Sequence, residues 1–358
     1  MKKEIWGADM QPAMTPHPDT RQVVMHRKGT GPMVLSGLIL AACLVMVCAL
    51  SLVFGSRSVS PSDILHTLST SSDDIAVSAI RLRIPRTVLG LLVGAGLGVA
   101  GTLMQGISRN PLADPSILGF NTGAALAIVC SIAFFSLSTP AQYVWVGLLG
   151  SATTALVVWA IGSLGPSGPS PLRLTLAGVV ISSVLGSLTS AILLPRVNVI
   201  SSYRFWQVGG ISGARFDLMM PVLPLLALGL ILAFCLTPGI NALTLGDQMA
   251  EGLGMHVGRV RSLAWLAAIL LCASCTALAG PISFVGLVIP HVARLLIGPD
   301  YRRIMALSIL IGPLLVVGAD VVGRIITRPS DVEVGIVTAL IGAPVFVVLA
   351  GRRRTAEV

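Results

Sequence analysis

Asp320 and Arg324 stand one helical turn apart in an otherwise apolar stretch, and an ionisable pair in that setting has two possible uses. The carboxylate can relay a proton, or it can form an i,i+4 ion pair that holds the fold. A relay calls for unpaired acids near the middle of a membrane, and the other apolar stretches contain none, which favours the ion pair. Cys272 and Cys275 have the spacing of a redox C-x-x-C, but no cation is at hand to stabilise a thiolate. Like Cys43, Cys48, Cys130 and Cys235, they lie in apolar runs and read as packing residues. His256 and His291 are isolated, so no His/Cys/carboxylate cluster suggests a metal site, and neither a Ser-His-Asp set nor a carboxylate pair suggests catalysis. The motif G-x-x-x-x-G-K-[ST] is absent and the only lysines are Lys2, Lys3 and Lys28, so no phosphate-cradling loop is present. The expectation is a chain that is not an enzyme and has no catalytic residue, cofactor or metal of its own. If ATP drives it, another polypeptide hydrolyses the ATP.

A second candidate lies in the polar segment 237–260. Asp247 begins a short amphipathic helix in which Met249, Ala250 and Leu253 form an apolar stripe beside Glu251, and Gly252 and Gly254 end it. Such a helix suits docking into a groove of another protein; the alternative is a helix lying on lipid. A third candidate is basic. Arg81, Arg83 and Arg86 crowd ahead of one apolar stretch, and Arg324 and Arg328 ahead of the last.

These residues must be positioned by membrane-spanning helices. Of the 358 residues, 54% are apolar and only 11% charged, against about a quarter charged in soluble domains. Mean hydropathy is +0.89. The net charge of +9 comes with only 9 Phe and 3 Tyr and no basic-aromatic interleaving, which excludes nucleic acid as a partner. About ten spans are expected: Met33 to Phe54, then 87–107, 116–136, 142–163, 173–194, 218–237, 261–280, 283–297, 305–322 and 335–350. The first is too long for a signal-peptide core. The short 283–297 segment, which carries Pro290, should pack against protein rather than lipid. Gly90, Gly94 and Gly98 fall on one helix face, with Gly101 close by, and permit close helix packing. The organisation read is an N-terminal tail over 1–32, an all-α transmembrane domain over 33–350 and a C-terminal tail over 351–358. With Arg27 and Lys28 inside, an even number of spans returns Arg352, Arg353 and Arg354 to the same side, and Arg109, Arg173, Arg259, Arg261, Arg302 and Arg303 also fall inside. Arg83, Arg86 and Arg324 are then outside, where they oppose the orientation rule and ask for a partner; the alternative is headgroup anchoring by snorkelling side chains.

Several motifs in fixed order resemble the iron-siderophore and vitamin B12 permeases of ABC importers. They are Arg83-Ile-Pro-Arg86-Thr, Arg109-Asn-Pro-Leu-Ala-Asp-Pro115, Leu118-Gly-Phe-Asn-Thr-Gly-Ala124, Leu176-Ala-Gly178, Arg204-Phe-Trp-Gln-Val-Gly209, Leu245-Gly-Asp247 with Leu253-Gly254, Gly280 through His291, and Gly335 through Val345. The resemblance covers residues 33–350 and implies a vitamin B12 permease-like bundle in a bacterial inner membrane, with both termini cytoplasmic. Two ABC ATPase subunits, a second permease subunit (identical or homologous) and a periplasmic siderophore-binding protein are the partners it implies, with membrane lipid around the bundle. It casts Arg83, Arg86 and Arg324 as contacts for the binding protein, and Asp247 to Gly254 as the coupling helix that meets the ATPase. Ser170, Pro171 and Leu172 match the family's inner gate, although Pro171 and Leu172 depart from the small hydroxyl residues of the vitamin B12 permease. The cargo implied is an iron(III)-siderophore complex, of the catecholate type among others; vitamin B12 or haem is the alternative within the family, and an ion-coupled secondary transporter the alternative outside it.

Overall fold

The second apolar stretch forms a 34-residue helix, and the rest of the molecule is arranged around it. The computed structural model describes residues 30–55, 75–164, 171–327 and 330–354. Residues 1–29 and 355–358 of the expected tails, Ser170 of the expected gate and Arg328 lie outside them. Among the described residues the fold is all-α. In chain order the helices are α1 (Thr30–Val53), α2 (Ile75–Ser108), α3 (Phe120–Phe135), α4 (Pro140–Gly162), α5 (Pro171–Leu193), α6 (Val197–Gln207), α7 (Phe216–Met219), α8 (Leu223–Cys235), α9 (Thr237–Leu243), α10 (Asp247–Gly252), α11 (Val257–Ala279), α12 (Val285–Ile297), α13 (Tyr301–Ile326) and α14 (Val334–Arg354).

Among the described residues six helices are long and apolar enough to cross a bilayer, and the pair α8 and α9, bent by 51°, passes the same test only when taken together. The shorter apolar helices α3, α12 and α14 occupy the remaining expected positions. The bend has a local cause. Pro238 has no N–H to give to the Phe234 carbonyl, and the Thr237 hydroxyl donates to that oxygen instead, at 2.7 Å. Helix α2 begins twelve residues before the expected span, and α14 continues through the arginines at its end. Arginine is a good helix former, and basic residues are favoured at a helix C-terminus.

The core is formed by α2, α11, α12 and α13, with α2 packed most extensively on α13. The glycine spacing explains this contact. A Cβ at Gly94 would lie 2.5 Å from the Gly312 carbonyl carbon of α13, and one at Gly98 3.0 Å from the Ser308 oxygen. One at Gly90 would press on Val317 and Ile211. Helix α12, at 13 residues, reaches only about 20 Å and cannot span alone. It is buried along most of its length, and the end of α11 just ahead of it is bonded within the protein, with the Gly210 N–H donating to the Ala279 carbonyl at 2.8 Å. Pro290 frees a carbonyl inside α12. Gln105 of α2, itself buried, donates its amide to the Gly286 and Leu287 oxygens at 3.5 and 3.2 Å. Irregular backbone at membrane depth is thus satisfied by protein.

Candidate functional site

Two polar clusters lie at opposite ends of α2, separated by about 33 Å of apolar helix between Arg86 and Ser108.

At the first end, Asp320 is fully buried and accepts from two arginines. Arg86 donates to its Oδ1 through Nε (3.0 Å) and Nη2 (2.7 Å), and Arg324 donates to its Oδ2 (2.5 Å). The i,i+4 pair expected from the sequence is therefore half of the arrangement. Arg86 also bridges to Asp331 at 2.8 Å, a carboxylate whose side chain is 27% exposed. Arg324 reaches across to α1, donating to the Ser51 and Phe54 carbonyls at 2.9 Å each and to the Ser51 hydroxyl at 2.7 Å. Arg83 donates to the Leu52 and Val53 carbonyls at 2.8 and 3.0 Å. A helix leaves its last carbonyls without intrahelical partners and with partial negative charge. Arg83 and Arg324 supply both the donors and the countercharge for the end of α1. In the isolated chain Arg83, Arg86 and Arg324 are buried and bonded internally. Arg81, two residues before Arg83, is exposed. Asp331 and the α1 carbonyls were missed by sequence reasoning, because nothing in the spacing links residue 51 to residue 324 or residue 331 to residue 86.

At the other end, α10 projects from the bundle. Gly246 (φ 110°) and Gly254 (φ 81°) flank it in conformations that L side chains rarely adopt. The Met255 N–H donates to the Ala250 carbonyl at 3.1 Å and the Gly254 N–H to Glu251 at 2.8 Å, which is a Schellman motif. Asp247, in the first turn, accepts from Arg109 and, at 2.9 Å, from Arg261. These two pairs tie the helix to the ends of α2 and α11. The expected apolar stripe is divided. Ala250 is fully buried against Leu243 and Val257, whereas Met249 and Leu253 are 60% and 67% exposed. Six residues make fewer than two turns, so a residue's side is set by the packing around Ala250 and not by a stripe. Glu251 and Gly252 are exposed, and a Cβ at Gly252 would meet nothing within 4 Å.

Of the expected gate residues, Pro171 opens α5 and Leu172 is exposed on it. Helix α5 is largely unburied. Ser183, Ser187 and Ser190 lie exposed along it, each donating to the carbonyl one turn back. Between α2 and α3, outside the spans, Asp114 accepts from the Ser116 N–H at 2.7 Å; burial pushes its carboxyl above the usual range, against the pull of that bond and of N–H groups at the start of α12. Among the described residues no group of His, Cys, Asp and Glu could hold a metal ion.

The arrangement is that of an integral membrane protein with a protruding helix at one end and an arginine-aspartate cluster at the other. Residues 43–352 match the model of the FecCD transport family. The chain is 40% identical over 326 residues to the ferric enterobactin transport system permease protein FepD of Escherichia coli (strain K12), covering 90% of this chain and 96% of that protein. It is 39% identical over 312 residues to the probable siderophore transport system permease protein YfiZ of Bacillus subtilis (strain 168), covering 86% and 93%. A solved inward-facing structure of a metal-chelate type ABC transporter superposes with a TM-score of 0.77 at 28% identity, over 89% of this chain and 99% of that one. With the family model matched from the first span to the last, this chain belongs to the FecCD transport family.

Proposed function

We propose that the chain is the permease subunit of an ABC importer in a bacterial inner membrane, carrying iron(III)-siderophore complexes into the cytoplasm with its termini and α10 on the cytoplasmic side. The observation that carries this is the near full-length match to the ferric enterobactin transport system permease protein FepD. The absence of a phosphate-cradling loop assigns ATP hydrolysis to a partner. Exposed Met249 and Leu253 beside Glu251 suit a groove on that ATPase. The exposed hydroxyls of α5 suit a polar pathway shared with a second permease subunit, with Pro171 and Leu172 at its inner mouth. A periplasmic binding protein would engage the arginine-aspartate end. There Arg86 holds one buried carboxylate and one partly exposed, so a partner's acid can replace Asp331 without disturbing Asp320.

The test is purification of the tagged chain from its native membrane, with identification of the accompanying subunits, and uptake of radio-iron siderophore complexes by cells lacking the chain. An ATPase in the eluate and lost uptake are expected. Solute movement by the chain alone, driven by an ion gradient and abolished by Asp320→Asn, would instead make it a secondary transporter.

A further inference from the structure

Segment 109–115, between α2 and α3, is bonded at one end to α10 and at the other to α12. Arg109 follows the last turn of α2 with φ 51°, a conformation that suits glycine and strains an arginine. Its side chain does what a glycine could not, since Arg109 donates to Asp247 in the first turn of α10. Beyond it the backbone is bonded to itself. The Asn110 N–H donates to the Ser108 hydroxyl at 3.3 Å, the Leu112 N–H to the Asn110 side chain at 3.1 Å, and the Ala113 N–H to the Asn110 carbonyl at 3.0 Å. Pro111 and Pro115 fix two further φ angles.

Asp114 closes the far end. Its buried carboxylate accepts from the Ser116 N–H at 2.7 Å and from the N–H groups of Phe284 and Leu287, where α12 begins, and none of the groups bonded to it is a cation. An anion there meets the orphan N–H groups and the positive end of that helix. Pro115 lies against the same turn, and a Cβ at Gly286 would stand 2.7 Å from its Cδ. Helix α12 is too short to span, so contacts such as these set its place. We propose that segment 109–115 is a mechanical link that makes the start of α12 follow α10, with Arg109 and Asp114 as the positioning residues at its two ends. What moves α10 rests on the transport reading, in which α10 meets the ATPase; the link itself does not.

The link is tested in the purified full chain by hydrogen exchange of the backbone amides at 284–288. Arg109→Gln frees the segment from α10 and should speed exchange there about fivefold, although Arg109 does not touch those amides. Arg109→Lys, which keeps a cation for Asp247, should restore most of the protection. Adding Arg109→Gln to Asp114→Asn should speed exchange no further than Asp114→Asn alone, because the link is already cut. Unchanged exchange at 284–288 in Arg109→Gln overturns the proposal, and so does exchange raised equally across α2 and α13, which would mean general loosening. In the assembly purified with its ATPase and reconstituted in liposomes, Asp114→Asn should lower siderophore-bound radio-iron uptake per ATP hydrolysed about fivefold without a fall in Tm. Full uptake per ATP in that variant, or losses that multiply when Arg109→Gln is added, also overturns the link. An unmodified assembly with no ATPase or no uptake fails the transport reading alone, and the exchange experiment still decides the link.

Discussion

Replacing Asp320 with alanine would leave Arg86 and Arg324 facing each other in the interior without the carboxylate that both donate to. Breaking a buried pair by removing one partner costs about 3–5 kcal/mol, because the remaining charge is stranded. A large fall in Tm of the purified chain is therefore expected for Asp320→Ala. Asp331→Ala should cost under about 1 kcal/mol, since its partly exposed bridge is screened by solvent and Arg86 keeps Asp320. Equal losses in the two variants would contradict the division of labour between them. Asp114 has the opposite sign. Its carboxyl is held above the ordinary value, so the folded chain binds that proton more tightly than the unfolded one, and stability tied to this group rises as pH falls. Asp114→Asn keeps an acceptor for the Ser116 N–H and removes the desolvated charge. Its Tm should equal or exceed that of the unmodified chain near about pH 7, with the gap closing toward about pH 5. The Asp320–Arg324 pair could be read from a spacing of four; Arg86 and Asp331 could not, since 234 and 245 residues separate Arg86 from Asp320 and Asp331.

Among the helices, glycines separate into those that a neighbouring backbone requires and those that it does not. A Cβ at Gly101 of α2 would sit 2.0 Å from the Gly286 oxygen of α12, so Gly101→Ala must move a helix. Overpacking of this kind costs about 1–3 kcal/mol. Gly318 of α13 has nothing within 4 Å of its Cβ position, and Gly318→Ala should stabilise by about 0.5–1 kcal/mol through helix propensity. Thermal unfolding of the two variants should shift in opposite directions. The four-residue spacing of Gly90, Gly94 and Gly98 disclosed a close-packed face, but not that Gly312 and Ser308 lie against it. The irregular backbone near Pro290 was legible in the sequence; the bend at Pro238 was not singled out. The side chains that repair them, Thr237 and Gln105, were not distinguishable from other polar residues by sequence.

For the whole molecule, α10 offers the cleanest test of assembly. Gly252→Trp adds bulk where the chain itself has open space, so the variant should fold and insert normally. We expect it to lose ATPase association, or to retain it with substrate uptake reduced at least tenfold, read by co-purification and radio-iron uptake. Normal uptake would remove α10 from the contact. Ala250→Leu, by contrast, overfills the pocket under the helix and should lower Tm whether or not a partner is present.

Composition and the length of the apolar runs were enough to determine an all-helical membrane protein, because a bilayer selects for apolar length and self-satisfied backbone regardless of partners; of the ten expected spans, six or seven among the described residues are helices long enough to cross and the others are shorter apolar helices. Ordered motifs were enough for the family. Which charges meet, which apolar residues face outward and which arginines are enclosed were decided by tertiary structure. Those outcomes depend on distances between segments far apart in the chain, and on helix ends whose orphan carbonyls take whichever donor the fold brings within reach.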